Sequence, residues 1–138
     1  MDVRAIVDTG YLVALLNRDD EHHEWAAGVL PRLRGPWLTA ESCISEAVFL
    51  LEHAGRIAVG RLLDWLHRGA LVSRHLLPEQ LEDVRFEMLR YKDRWVDFGD
   101  ACLLCLSDAQ PRLPLATVDA RDFTVYFRHR RGRRLYVP

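Results

Sequence analysis

Six carboxylates stand out by type and spacing: Asp8, Glu46, Asp97, Asp100, Asp119 and Asp122. Asp8 ends the short run Arg4-Ala-Ile-Val, and Asp119 ends Pro114-Leu-Ala-Thr-Val. Both runs read as strands, so both acids are expected at strand ends. Glu46 is expected on a helix, one turn before Leu50, and Asp97 and Asp100 open the helix that leads into the late strand. Segments far apart in sequence thus send carboxylates toward one rim. Clustered carboxylates repel and raise one another's pKa unless a cation sits among them. Oxygen donors without histidine or thiolate point to a hard ion, Mg²⁺ or Mn²⁺. Such an ion activates a water and neutralises charge on phosphorus, which suits phosphodiester hydrolysis.

Each acid also has a plain structural reading. Asp8-Thr9 fits a strand-end turn, and Glu46 fits a solvated helix face. Asp97 and Asp100 have the three-residue spacing of a reciprocal helix cap. Asp119 and Asp122 fit a turn that ends a strand. None is specific alone; their common destination favours the chemical reading.

The elements that must position these acids alternate between strand and helix. Helices are expected over Tyr11–Asn17, from near His22 with Pro31 as an early stop, and from a Thr39 cap to about His53. The third has Cys43, Ala47, Leu50 and Leu51 on its apolar side. Further helices are expected over Ile57–Arg68 with Leu62, Leu63 and Leu66 inward, from Pro78 to Tyr91, and over Asp97–Ser107. Strands are expected at Arg4–Asp8, Trp37–Thr39, Ala70–Ser73 and Pro114–Asp119, with an edge strand at Leu135–Val137. The alternation predicts a three-layer α/β/α sandwich with a mostly parallel central sheet, formed by residues 1–138 as one domain. In such sheets the ligand site lies at the carboxyl ends of the strands, near the switch in strand order.

Composition narrows the class. The 138 residues are 49% hydrophobic and 28% charged, which excludes disorder, collagen and coiled coil. The longest apolar runs fall far short of the roughly 18 residues of a membrane span. Asp2, Arg4 and Asp8 interrupt the N-terminus, so no signal peptide is expected. An odd count of three cysteines argues for a reducing compartment, the cytoplasm. A net charge of −1 hides a basic tail, with six arginines and one acid from Arg121 onward. Arginine grips phosphate with a bidentate fork. Arg128, Arg130, Arg131, Arg133 and Arg134 are therefore candidates for an RNA-backbone clamp, or else form a plain basic edge.

Other signals carry less. Asp8-Thr9-Gly10 is the aspartic-protease triplet, but it occurs once and a helical run follows it. Cys102 and Cys105 have metal or redox spacing without a second pair, inside an apolar helical run, so core packing is expected for them and for Cys43. His22-His23 reads as a solvated helix start. Trp25, Trp37, Trp65 and Trp95 are expected mostly in the core.

The motifs together resemble the PIN domain family. Ile6-Val-Asp-Thr-Gly-Tyr-Leu-Val-Ala-Leu-Leu16 resembles the opening of a PIN domain, and Glu46 falls where the family keeps its helix glutamate. Asp97-Phe-Gly-Asp-Ala101 and Thr117-Val-Asp-Ala-Arg-Asp-Phe123 are similar to its third and fourth motifs. The compact form resembles the VapC-type ribonuclease toxins. That resemblance implies a Mg²⁺- or Mn²⁺-dependent endoribonuclease, usually a homodimer, held inactive by a small antitoxin. It assigns metal-site roles to Asp8, Glu46, Asp100 and Asp119. It gives Asp97 and Asp122 supporting places, and lets Thr117 orient a water or a carboxylate. A PIN-like RNA-processing or RNA-binding domain that is not a toxin is the alternative. The apolar stretches Tyr11–Leu16, Trp25–Leu33 and Ile57–Leu66 are expected to supply dimer and antitoxin surfaces.

Overall fold

Ala5–Val7 is apolar on both sides and rich in β-branched residues, so it forms a strand covered on both faces, β1. In a computed structural model of the chain, which describes residues 2–138, β1 is the middle strand of a five-stranded sheet. The other strands are β2 (Trp37–Ala40), β3 (Leu71–Arg74), β4 (Leu115–Ala116) and β5 (Leu135–Tyr136). Their spatial order is β3-β2-β1-β4-β5, and every neighbouring pair is parallel. Ile6 lies opposite Leu38 on one side and Leu115 on the other.

Seven helices cover the sheet: α1 (Thr9–Leu16), α2 (His23–Val29), α3 (Glu41–Leu51), α4 (Arg56–Arg68), α5 (Leu81–Leu89), α6 (Phe98–Ala109) and α7 (Ala120–Tyr126). Alternation along β1 divides the core. Ala5 and Val7 face a cluster built from α1 to α4, with Tyr11, Leu12, Leu51 and Leu62. Ile6 faces the opposite cluster, where α6 buries an unbroken run from Ala101 to Ser107 and Phe123 and Tyr126 arrive from α7. The result is the expected three-layer α/β/α sandwich. Strand order reverses between β1 and β4, so the crevice at the switch point opens just after Val7 and Ala116.

Several local expectations are corrected. Thr39 does not cap α3; its hydroxyl donates to the Val7 carbonyl at 2.7 Å, tying β2 to β1. α5 begins at Leu81, and Pro78 lies in the preceding turn. β4 ends at Ala116, so Asp119 stands beyond the strand and opens α7, a helix the sequence reading lacked. Leu63 and Leu50 point outward, because the inward stripe of α3 and α4 runs through Ala47, Leu51, Ala58 and Leu62. Trp95 is 75% exposed rather than core. The cysteines are buried and free, as expected. Among the described residues no helix is long and apolar enough to cross a membrane.

Candidate active site at the carboxyl rim

Asp8 is the N-cap of α1. One carboxylate oxygen accepts from the Tyr11 amide at 2.7 Å, and the other accepts from the Thr117 hydroxyl. The side chain is buried, and burial is the main reason its pKa rises to about 6. The bonds from Thr117 and Tyr11 oppose the rise, while the nearby Asp119 and Glu46 charges add to it. Thr117 is fully buried. While its hydroxyl hydrogen points to Asp8, the oxygen accepts from the Asp119 amide at 2.9 Å. Asp119 in turn caps α7, accepting from the Asp122 amide at 3.0 Å. A single chain of hydrogen bonds therefore links the end of β1 to the start of α7.

Glycine makes this approach possible. A Cβ on Gly10 would lie 2.3 Å from a Val118 methyl carbon, so the first turn of α1 can cross the β4–α7 connection only without a side chain there. Thr9 holds the other flank, donating to the Cys43 carbonyl of α3 at 3.1 Å.

Asp100 projects from the first turn of α6 and is half-buried. Among the described residues no hydrogen bond reaches its carboxylate. Burial pushes its pKa up to about 8, and repulsion from Asp97, Asp8, Asp119 and Asp122 adds to the shift. Asp97 occupies the N-cap position of α6 but makes no side-chain cap bond. The reciprocal cap suggested by its spacing from Asp100 is therefore absent. Glu46 is exposed on α3, with a pKa raised by partial burial and by Asp97. Asp119 is raised as well, by burial first and then by Asp122. Asp8 lies within reach of the Asp119 and Glu46 charges, and Asp100 within reach of those of Asp8 and Asp119.

The donor set fits a hard divalent ion. Asp8, Asp100 and Asp119 could hold it, with Glu46 beside them. Among the described residues no three potential ligands already close into a cage. Mg²⁺ does not require one, because it binds through one or two carboxylates and keeps water or phosphate on its other positions.

Arg94 is a site neighbour that the sequence reading missed. Its guanidinium donates to Asp122 at 3.0 Å and lies over the Tyr126 ring. Asp122 is thus paired with a cation while its charge still reaches Asp100 and Asp119. Arg94 sits three residues before Asp97, but no pattern marks it in sequence.

The basic tail divides. Arg130 is only 7% exposed; it bridges Glu87 and Asp108 and donates to the Tyr126 carbonyl. Arg133 donates to the Ser107 carbonyl and hydroxyl and to Asp108. Both leave the list of RNA contacts, because their forks are already filled by the protein. Arg128, Arg131 and Arg134 remain exposed.

Comparison with protein families matches the PIN domain over residues 5–126. Among solved structures the chain is similar to Mycobacterium tuberculosis VapC20, a toxin that cleaves the sarcin–ricin loop. The TM-score is 0.75 at 20% identity, over 88% of this chain and 94% of that one. A search of curated proteins gives no match.

Proposed function

The chain belongs to the PIN domain family, and we propose that it is a Mg²⁺- or Mn²⁺-dependent endoribonuclease, the toxin of a toxin–antitoxin pair. One observation carries this reading. Asp8, Asp100 and Asp119, from three separate elements, share the switch-point rim, and their mutual repulsion invites a cation.

In this reading Asp8, Asp100 and Asp119 hold the ion and Glu46 completes the acidic set. A bound divalent ion lowers the pKa of water and neutralises charge on the phosphorus. The chain's own residues prepare that chemistry. Thr117 fixes the rotamer of Asp8 by hydrogen bonding and aligns Asp119 through its amide. Arg94 pairs with Asp122 and so offsets part of the negative charge an incoming phosphate meets. Asp97, exposed at the edge, keeps Glu46 basic by repulsion. Arg128, Arg131 and Arg134 are the tail residues left to contact RNA phosphates.

VapC20 has this fold and is an RNA-cleaving toxin. We extend that role to this chain, without the particular RNA. A small antitoxin and a homodimeric state follow from the same reading. The apolar surface available for them is not α1, which is buried within the chain. Exposed apolar side chains lie on the outer face of α3 and α4, at Phe49, Ile57 and Leu63, and on α5, at Phe86 and Leu89; we assign the first to the dimer. The reducing cytoplasm is the matching compartment, since all three cysteines are free.

The test is incubation of purified, partner-free protein with total RNA, with Mg²⁺, with Mn²⁺ or with chelator, followed by mapping of new ends. Defined ends that need the metal support the nuclease reading. Intact RNA in every arm overturns it and leaves a PIN-like binding domain.

A further inference from the structure

A cavity of about 440 Å³ lies at the amino edge of the sheet, the edge away from the acidic rim. The strands are parallel, so Trp37, the first residue of β2, stands at that edge while Ala40 stands at the other. α1 starts next to Asp8 on the rim and brings Leu15 and Leu16, its last residues, to the cavity. From α4 come Arg61, Trp65 and Arg68. Their spacing of four and then three residues sets them on one stripe of that helix.

The walls are apolar and the mouth is cationic. Trp37 and Trp65 meet edge to face, with ring centroids 5.7 Å apart and planes at 83°. A planar ring placed in that corner stacks on one indole and presents an edge to the other. The Trp37 indole N–H already donates to the Leu33 carbonyl at 2.6 Å, so Trp37 offers a ligand only its apolar surface. Arg61 is exposed and makes no ion pair among the described residues. Arg68 holds Asp64 at 3.2 Å in an exposed pair, the weak kind. Among the described residues no acid lines the cavity. Its volume falls within the roughly 300–1,000 Å³ of small-molecule sites, which are mostly hydrophobic and aromatic with a few placed polar groups. One negative group on an apolar body meets both features. A polyphosphate or a nucleic-acid strand would set further charges against leucine and tryptophan, at a desolvation cost.

We propose that this cavity binds a small aromatic carboxylate, with its ring in the corner of Trp37 and Trp65 and its carboxylate on Arg61, beside Arg68. The guanidinium fork matches a carboxylate with two parallel hydrogen bonds. The site is separate from the acidic rim and independent of the nuclease reading.

The experiment titrates the whole protein with 2-naphthoate by calorimetry and follows the indole N–H resonances of the tryptophans. Binding is expected with a Kd on the order of 0.1 mM, modest for a ligand of this size. The Trp37 and Trp65 resonances should shift while that of Trp95 stays. The uncharged 2-naphthalenemethanol should bind about tenfold more weakly, since it lacks the charge-assisted bonds. Decanoate should also bind more weakly, because a flexible chain does not fill the aromatic corner. Arg61→Ala should weaken 2-naphthoate about tenfold, and Arg61→Glu should abolish its binding; the exposed position lets both variants keep the fold. Absence of binding at millimolar 2-naphthoate overturns the site. Equal affinity for the acid and the alcohol overturns it as well, as does wild-type affinity in Arg61→Glu. Decanoate binding as tightly as 2-naphthoate overturns the aromatic assignment.

Discussion

The Thr117 hydroxyl donates to the Asp8 carboxylate, joining residues 109 positions apart. The same oxygen accepts from the Asp119 amide. Through this one side chain the acid after β1 and the acid after β4 are set in fixed relation across the point where strand order reverses.

Thr117→Val keeps the shape and removes both bonds. A buried carboxylate then lacks one donor and an amide lacks its acceptor, so the metal-free protein should lose about 1–3 kcal/mol. Thr117→Ser should restore most of it. Urea unfolding at pH 8 measures the difference, and an unchanged midpoint for Thr117→Val would refute the linking role.

The pH dependence of stability should be inverted relative to most proteins. Asp8 and Asp100 have folded pKa values of about 6 and about 8, above the 3.8 of a free aspartate. The folded state therefore holds protons that the unfolded state releases, and stability falls as pH rises from about 4 to about 8. Below that window Asp108, lowered by Arg130 and Arg133, loses its contribution as it protonates. Melting temperature in chelator should peak at mildly acid pH and decline toward pH 8. Mg²⁺ added at pH 8 should raise it again by binding the folded form. A melting temperature that climbs steadily to pH 8 in chelator would contradict the crowding of these acids.

Asp100→Asn separates chemistry from capping. It removes one repelling charge and should leave the metal-free protein as stable as before, or stabler by roughly 0.5–2 kcal/mol. Mg²⁺-dependent cleavage should drop by about a hundredfold or more. Early melting with cleavage intact would mean that Asp100 only serves the helix end.

The tail should split by role. Arg130→Ala removes the buried guanidinium that joins Glu87, Asp108 and the Tyr126 carbonyl, leaving Glu87 to Arg90 and Asp108 to Arg133, and should cost about 1–3 kcal/mol. Arg131→Ala and Arg134→Ala should leave stability unchanged. Each should flatten the log–log salt dependence of RNA binding by about 0.7 for a single strand. An unchanged slope would make them a solvated edge.

For the homodimer, light scattering at tens of micromolar should give twice the chain mass. The double substitution Ile57→Asp and Leu63→Asp, on the exposed face of α4, should give the monomer with its melting temperature kept. A wild type that is already monomeric at that concentration would remove the dimer from the account.

Sequence alone determined the frame. The apolar runs at β1 and β2, alternating with helical stretches, required a parallel sheet covered on both faces, because such strands can be buried no other way. A run that ends in an acid at the carboxyl edge of that sheet places the acid at the rim, so Asp8 was legible without coordinates. Tertiary structure decided what each acid does there. Asp97-x-x-Asp100 and Asp119-x-x-Asp122 have the same spacing, yet only Asp119 caps its helix, while Asp97 makes no cap bond and Asp100 stays unpaired. Spacing states only that a cap is possible. What surrounds each acid depends on groups brought from elsewhere, here Asp8 on the Thr117 hydroxyl that holds the Asp119 amide, and Arg94 on Asp122. The same holds for the arginines: six look alike in the tail, and only burial between α5, α6 and α7 turned Arg130 inward to Glu87 and Asp108. Charge and period are written locally, whereas the partner of a charge is chosen by distance in space.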